Sequence, residues 1–262
     1  MILRRMGTKT RVVKKSNILQ LLPQHTMFID MFFGAGGFFF NKPKAKHNIC
    51  NDYDSEVYNL YQVLITRKTE LEEAIYQTPY HSDLFKYWIK NTEIDPVIKA
   101  VRFLMLSNYS YLGKGDTLRF SFGNSKKCLI NNIEKTFDLI HDVYFMNYDF
   151  RDVLSKISIK GTSELDKTFI YADPPYLGTE NNYGDNCKFK QKDSEDLFHV
   201  LVNSGYRFAI SEFNNPVILD LARHHGLEVI NLMERRNINN RRNEILIINY
   251  DIDISQQKLE LK

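Results

Sequence analysis

Short apolar runs separated by stretches of helical periodicity set the rhythm of this chain. Residues 28–33 (FIDMFF), 47–51 (HNICN), 168–172 (TFIYA), 207–211 (RFAIS), 227–232 (LEVINL) and 244–250 (EILIINY) each read as strands. Several are almost unbroken in apolar character, as expected of strands covered by helices on both faces. Residues 55–64, 194–204 and 216–224 read as helices lying between them. Strand, helix, strand alternation predicts an α/β domain with a mainly parallel sheet.

The middle of the chain breaks that rhythm. From about residue 80 to 147 the pattern is helical, for example over 96–106, where Val97, Val101, Leu104 and Met105 share one face. A polar, glycine-punctuated segment follows at 108–127 (NYSYLGKGDTLRFSFGNSKK). Structureless loops of such length are rare inside a compact domain, so the block reads as an inserted subdomain. Its cations Arg102, Lys114, Arg119, Lys126 and Lys127 alternate with Tyr109, Tyr111, Phe120 and Phe122, a mixture suited to phosphates and bases. An ordinary hairpin with a solvated face would carry the same residues.

Composition narrows the class. At 262 residues, 43% hydrophobic and 26% charged, the chain has the make-up of one large globular domain or one domain with an insertion. Its three cysteines, Cys50, Cys128 and Cys187, show no Cys-x-x-Cys spacing, which points to a reducing compartment and away from a structural zinc site. No run is long and apolar enough to span a bilayer, and residues 1–15 are basic with no apolar leader core, so a cytoplasmic protein is expected. The net charge of +3 decides little. Its distribution is more telling: Arg4, Arg5, Lys9, Arg11, Lys14 and Lys15 are clustered, as are Arg235, Arg236, Arg241 and Arg242. The second cluster is expected to be a loop that grips phosphates.

The candidate chemistry starts where the first strand runs into Gly34-Ala35-Gly36-Gly37, with Asp52 eighteen residues after Gly34 at the end of the next strand. Glycines at a strand's C-terminal edge admit a ligand close to the backbone, and an acid at this spacing can accept from ribose hydroxyls. The unit therefore reads as a nucleoside site. A dinucleotide fingerprint would need glycine at the sixth position, where this chain has Phe39. S-adenosylmethionine contains no pyrophosphate, and its needs are met by backbone amides and a ribose-binding carboxylate. The absence of a hydride-transfer partner also disfavours a nicotinamide dehydrogenase.

Asp173-Pro174-Pro175-Tyr176 directly follows the apolar strand at 168–172. Two prolines stop the ladder abruptly, so the last groups face the sheet's C-terminal rim, where α/β proteins bind ligands. Asp173 and the Pro174 carbonyl supply two acceptors and Tyr176 a flat ring, a set that suits a planar amino group on a base. Asp173, Pro174 and Tyr176 are thus the candidate catalytic residues. The polar stretch after them, 177–184, is expected to close over an extruded base.

Together these motifs resemble the Dam-like family, the α group of DNA adenine-N6 methyltransferases. Residues 5–9 (RMGTK) resemble its Gly-x-Lys element, 30–36 (DMFFGAG) its glycine loop, 51–54 (NDYD) its ribose-binding acid and 148–150 (YDF) the segment that holds the cofactor's adenine. Ser211 stands where the family often has serine, and 242–250 resembles its (K/R)-x-E-hydrophobic run ending in Asn-Tyr. An aromatic residue commonly stands where this chain has Arg5, and the insert matches only loosely, chiefly around 102–113.

The resemblance implies a Rossmann-like S-adenosylmethionine-dependent methyltransferase sheet, formed by 1–64 and 148–262, with a mainly helical target-recognition insert at 65–147. It implies binding of the cofactor (product S-adenosylhomocysteine, no metal) by Gly7, Lys9, Asp30, Phe33, Gly34, Ala35, Gly36, Asp52, Asp149, Phe150 and Asp173. Double-stranded DNA is the implied substrate, with Arg102, Tyr109, Tyr111, Lys114, Arg119, Lys126, Arg235, Arg236 and Arg241 as contacts. A monomer in a bacterial or phage setting is expected, with a cognate restriction endonuclease as a candidate partner. Transfer to cytosine N4, transfer to RNA, and a catalytically inactive DNA-binding relative remain as alternatives.

Overall fold

The structure, a computed structural model, describes residues 2–4, 8–110, 125–158, 166–177, 189–236 and 241–252, with only the backbone at 235, 236 and 241. It divides into two compact units. One comprises Met1–Thr8, Gly34–Phe40 and Asp52–Asn147, the other Lys9–Phe33, Asn41–Asn51 and Tyr148–Lys262.

The second unit carries the strands β1 (Met27–Asp30), β2 (His47–Asn51), β4 (Thr168–Ala172), β5 (Arg207–Phe213), β6 (Glu228–Arg236) and β7 (Arg241–Ile248); β3 (Tyr144–Met146) falls in the first unit. Within the second unit the order is β2-β1-β4-β5-β7-β6. Pairing is parallel from β2 to β5 and antiparallel at β7 and β6. All five residues of β4 are buried, which explains its unbroken apolar run. Because β2 lies on one side of β1 and β4 on the other, the chain reverses its winding at β1. The crevice beyond the strands' carboxyl ends at such a switch point is where α/β sheets take ligands.

Helices α8 (Gln191–Asn203) and α9 (Pro216–His224) connect β4 to β5 and β5 to β6. Asn215 caps α9 by accepting from the Val217 N–H, and proline fits the first turn because no intrahelical partner is lost there. The short α1 (Thr10–Lys15) and α7 (Phe150–Val153) also belong to this unit, and Asp149 caps α7.

Two boundaries differ from the hydrophobic pattern. The first strand ends at Asp30, although its apolar run continues to Phe33. The Met31 N–H still reaches the Tyr171 carbonyl at 3.0 Å, but Gly34 then turns the chain with φ +54°. The four arginines of the 235–242 segment, expected in a loop, all lie in strands, with Arg235 paired with Arg242 and Arg236 with Arg241. Main-chain pairing carries the hairpin beyond its apolar stretch, because ladder bonds do not require apolar side chains. Residues 237–240 lie outside the described residues.

The first unit is largely helical: α2 (Ser55–Thr66), α3 (Lys68–Gln77), α4 (Ser82–Lys90), α5 (Pro96–Asn108) and α6 (Lys126–Ile140). Asp54, Asp95 and Ser125 cap α2, α5 and α6 by accepting backbone N–H bonds. The core forms where Leu60 and Leu64 of α2, Leu71 and Ile75 of α3, Val101 and Leu104 of α5 and Ile133 of α6 are buried. Tyr61 stacks on Phe145 of β3 with centroids 5.1 Å apart. Among the described residues no helix is long and apolar enough to cross a membrane.

Candidate active site

In the second unit, the prolines after β4 end the strand at Ala172 and release Asp173 at the sheet's rim. Its side chain is one-fifth exposed, and Oδ1 lies 3.2 Å from Lys9 Nζ. Lys9 is buried and also bonds Glu244, a fully buried carboxylate on β7. Glu244 Oε1 in turn accepts the Tyr176 hydroxyl at 2.6 Å. Lys9 Nζ sits 4.4 Å from the centroid of the Tyr176 ring, and the Phe213 ring meets that tyrosine edge-on at 4.5 Å. Pro174 and Tyr176 are buried. Lys9, Asp173 and Tyr176 thus meet in one hydrogen-bonded group.

Glu212, buried on β5, belongs to the same neighbourhood. Burial pushes its carboxyl up to about 8; bonding to the Phe213 N–H and the charge of Lys9 pull the other way, and Asp173 adds to the rise. At neutral pH the cluster therefore keeps a proton on Glu212 rather than confining another negative charge. Between an unfolded value of 4.5 and about 8, the folded protein holds a proton that the unfolded chain has lost, so stability falls as pH rises. The loss between pH 5.5 and 8 is roughly 3 kcal/mol, at about 1.4 kcal/mol per unit. Glu212→Gln should lack this slope. Urea unfolding of both proteins across that range checks it, and parallel stability profiles would refute it.

On the neighbouring strands, Asn51 ties two loops to the sheet. Its side-chain amide donates to the Met31 and Tyr148 carbonyls at 3.1 and 3.0 Å, and its Oδ1 accepts the Tyr148 N–H at 3.0 Å. The Phe33 N–H bonds the Asn51 carbonyl at 2.9 Å. Asp30, Phe33 and the 148–150 segment therefore share the C-terminal side of β1 and β2. The buried Phe150 ring lies 5.6 Å from Phe32 and 5.9 Å from Phe189. Asp149 holds the Arg151 guanidinium, which also reaches Asp193 at 2.5 Å and Asp196 at 2.8 Å and so fastens α7 to α8.

In the first unit, the Gly34 N–H donates to Asp52 Oδ2 at 2.6 Å, and Asp52 Oδ1 accepts the Asp54 N–H at 2.8 Å. Gly34 and Gly36 have φ of +54° and +70°, where a side chain is disfavoured. Ala35 is buried beside them. A carboxylate only accepts, the type of group that suits hydroxyl donors. Phe39 is buried, in a short helical turn at Phe39–Asn41.

The expected DNA contacts fare differently. Arg102 is engaged inside its unit, donating to the Trp88 and Asn91 carbonyls at 3.0 and 2.6 Å and lying 3.5 Å from Glu56. Tyr109 is buried, and its hydroxyl shares a 2.6 Å hydrogen bond with Tyr80. Lys126 donates to the Tyr76 carbonyl at 2.9 Å and lies 5.1 Å from the Tyr80 ring centroid. The backbones of Arg235, Arg236 and Arg241 lie in the β6–β7 hairpin. Gly7, Tyr111, Lys114, Arg119 and all of the 177–184 stretch except Leu177 lie outside the described residues.

Asn51 and Glu244 stand in the motifs quoted at 51–54 and 242–250, but neither they nor Glu212 was given a site role from the sequence. The available signal was a polar or charged residue inside an otherwise apolar strand, a placement that is costly unless something pairs with it. Among the described residues no group of three or more His, Cys, Asp or Glu side chains could hold a metal ion.

A parallel α/β core with a glycine bend after β1, an acid after β2 and an Asp-Pro-Pro-Tyr corner after β4 defines a Rossmann-like methyltransferase class. The family model described as D12 class N6 adenine-specific DNA methyltransferase matches residues 6–238, and the chain belongs to that family. It is 26% identical to modification methylase StsI of Streptococcus sanguinis, over 90% of this chain and 41% of that protein. It is 25% identical to modification methylase LlaI of Lactococcus lactis subsp. lactis, over 94% and 42% respectively. The retron Ec67 DNA adenine methylase of Escherichia coli is 24% identical, over 87% of this chain and 83% of the relative. The chain thus spans about two-fifths of the length of StsI and LlaI. Among solved structures, TrmN from Thermus thermophilus aligns with a TM-score of 0.38 and 9% identity, over 87% of this chain and 45% of that one. The rRNA methyltransferase aviRa from Streptomyces viridochromogenes aligns with a TM-score of 0.36 and 12% identity, over 91% and 80%.

Proposed function

We propose that this protein transfers a methyl group from S-adenosylmethionine to the N6 amino group of an adenine flipped out of double-stranded DNA, at a specific site. The observation that carries the reading is the Asp-Pro-Pro-Tyr corner, where Asp173 is held by the buried Lys9. Family membership supports the choice of adenine.

The residues present fit the cofactor. Gly34, Ala35 and Gly36 allow close approach, Asp52 is a carboxylate of the kind that accepts from ribose hydroxyls, and Phe39 replaces the glycine that a pyrophosphate would want. Lys9, Asp30, Phe33, Asp149, Phe150 and Gly7 complete the proposed set. When bound, S-adenosylmethionine supplies an electrophilic methyl group.

Adenine N6 is a poor nucleophile because its lone pair is delocalised into the ring. Asp173 and the Pro174 carbonyl accept its two N–H bonds and favour a tetrahedral nitrogen whose lone pair is free to attack. Lys9 orients Asp173, which then takes the proton released from N6. Flipping costs a few kcal/mol, and stacking on Tyr176 is proposed to return about 1–3 kcal/mol. Orientation of the reacting atoms supplies much of the remaining acceleration.

The helical insert at 65–147 and the basic β6–β7 hairpin are proposed to contact DNA. Tyr76, exposed at the end of α3, and the Tyr80–Lys126 pair offer rings and charge for this purpose. The description of StsI and LlaI as modification methylases supports a cognate restriction endonuclease as a partner, and a DNA substrate suits a cytoplasmic setting.

Incubation of the protein and S-adenosylmethionine with genomic duplex DNA and, separately, with RNA tests the reading. Sequencing should find N6-methyladenine at one recurring short site in the duplex. Methylated cytosine alone, RNA methylation alone, or cofactor binding without any transfer would each replace it with a different function.

A further inference from the structure

Glu244 occupies an expensive place. It is completely buried on β7, next to Ile245, Leu246, Ile247 and Ile248, which are equally buried. It pairs with Phe213 of β5 on one side and Met233 of β6 on the other. Removing a carboxylate from water costs several kcal/mol even after relaxation, and an apolar residue would complete this strand at no such cost. The position is explained by what the carboxylate touches: the Lys9 ammonium, and the Tyr176 hydroxyl at 2.6 Å.

Lys9 faces two carboxylates, Glu244 and Asp173. Its charge is therefore divided. Were Asp173 its only close anionic partner, the ammonium would neutralise the very oxygen that must accept a proton from adenine N6. We propose that Glu244 is a positioning residue for methyl transfer: it draws Lys9 toward β7, so that Asp173 is oriented by the cation yet keeps the negative charge it needs as an acceptor. Through the same oxygen it fixes the Tyr176 ring beside that acceptor. This inference rests on the adenine methyltransferase reading.

Glu244→Gln separates charge from shape, since an amide carbonyl still accepts from the Tyr176 hydroxyl. In the full-length chain, kcat for duplex DNA should fall about tenfold. KM for DNA and the duplex dissociation constant, measured by fluorescence anisotropy, should stay within about threefold. In a Lys9→Met background, where no ammonium remains to be shared, adding Glu244→Gln should cost less than about twofold in kcat. Should Glu244→Gln fail to fold, Glu244→Asp, which keeps the charge but retracts it by one methylene, should lower kcat while leaving duplex affinity in place.

An unchanged kcat in the folded variant would overturn the proposal. So would a duplex affinity that falls in step with kcat, or an undiminished cost of Glu244→Gln in the Lys9→Met background. A wild-type protein that transfers no methyl group would instead defeat the functional reading itself.

Discussion

Asp173→Ala is expected to transfer methyl groups about a thousandfold more slowly than the wild-type protein, a loss of roughly 4 kcal/mol of transition-state stabilisation. Adenine N6 would lose the acceptor that frees its lone pair and the group that receives its proton. The fold should survive, because Lys9 keeps its bond to Glu244 and no buried ammonium is stranded. Removing a partner that left a buried charge unpaired would cost about 3–5 kcal/mol of stability instead. Radiolabelled methyl transfer to duplex DNA, with circular dichroism and melting of the variant alongside, measures both quantities. Near-wild-type transfer would remove Asp173 from the mechanism, whatever else the corner does.

The second large effect belongs to the cofactor. Asp52→Ala should weaken S-adenosylmethionine binding about a hundredfold, close to 3 kcal/mol, as expected for losing two hydrogen bonds to a charged acceptor. The substitution acts twice. It removes the proposed ribose acceptor, and it releases the Gly34 N–H, held at 2.6 Å, which keeps the glycine turn in its left-handed conformation. Isothermal titration of the purified protein with S-adenosylmethionine gives the affinity directly. A change below threefold would mean that this carboxylate only shapes the turn.

Both acids stand where local sequence marks a strand's end. Asp52 and Gly34 were legible as a pair from strand pattern and spacing alone, and the structure joins them by a hydrogen bond. Likewise, the strand at 168–172 and its abrupt end follow from a run with four apolar residues and from two prolines, and β4 occupies those residues. The antiparallel edge was not legible: the strand expected at 244–250 begins at Arg241, and the four arginines expected in a loop lie in paired strands. Arginine-rich sequence reads as loop, but main-chain hydrogen bonding is indifferent to it. Arg102 and Tyr109 looked like surface contacts because alternation of cations and rings says nothing of which side chains turn inward.

What the chain alone determined was therefore local: where apolar runs become strands, where prolines stop one, and where glycine permits a turn that other residues resist. Those features depend on neighbours within a few residues, and their physics is carried by the pattern itself. What tertiary structure alone decided was the company kept at the corner. Lys9 and Glu244 lie 235 residues apart, and Tyr176 and Glu244 68 apart. They meet because β7 inserts between β5 and β6 instead of following β6 at the edge. That order is a property of how the whole sheet buries its faces, and no local window contains it.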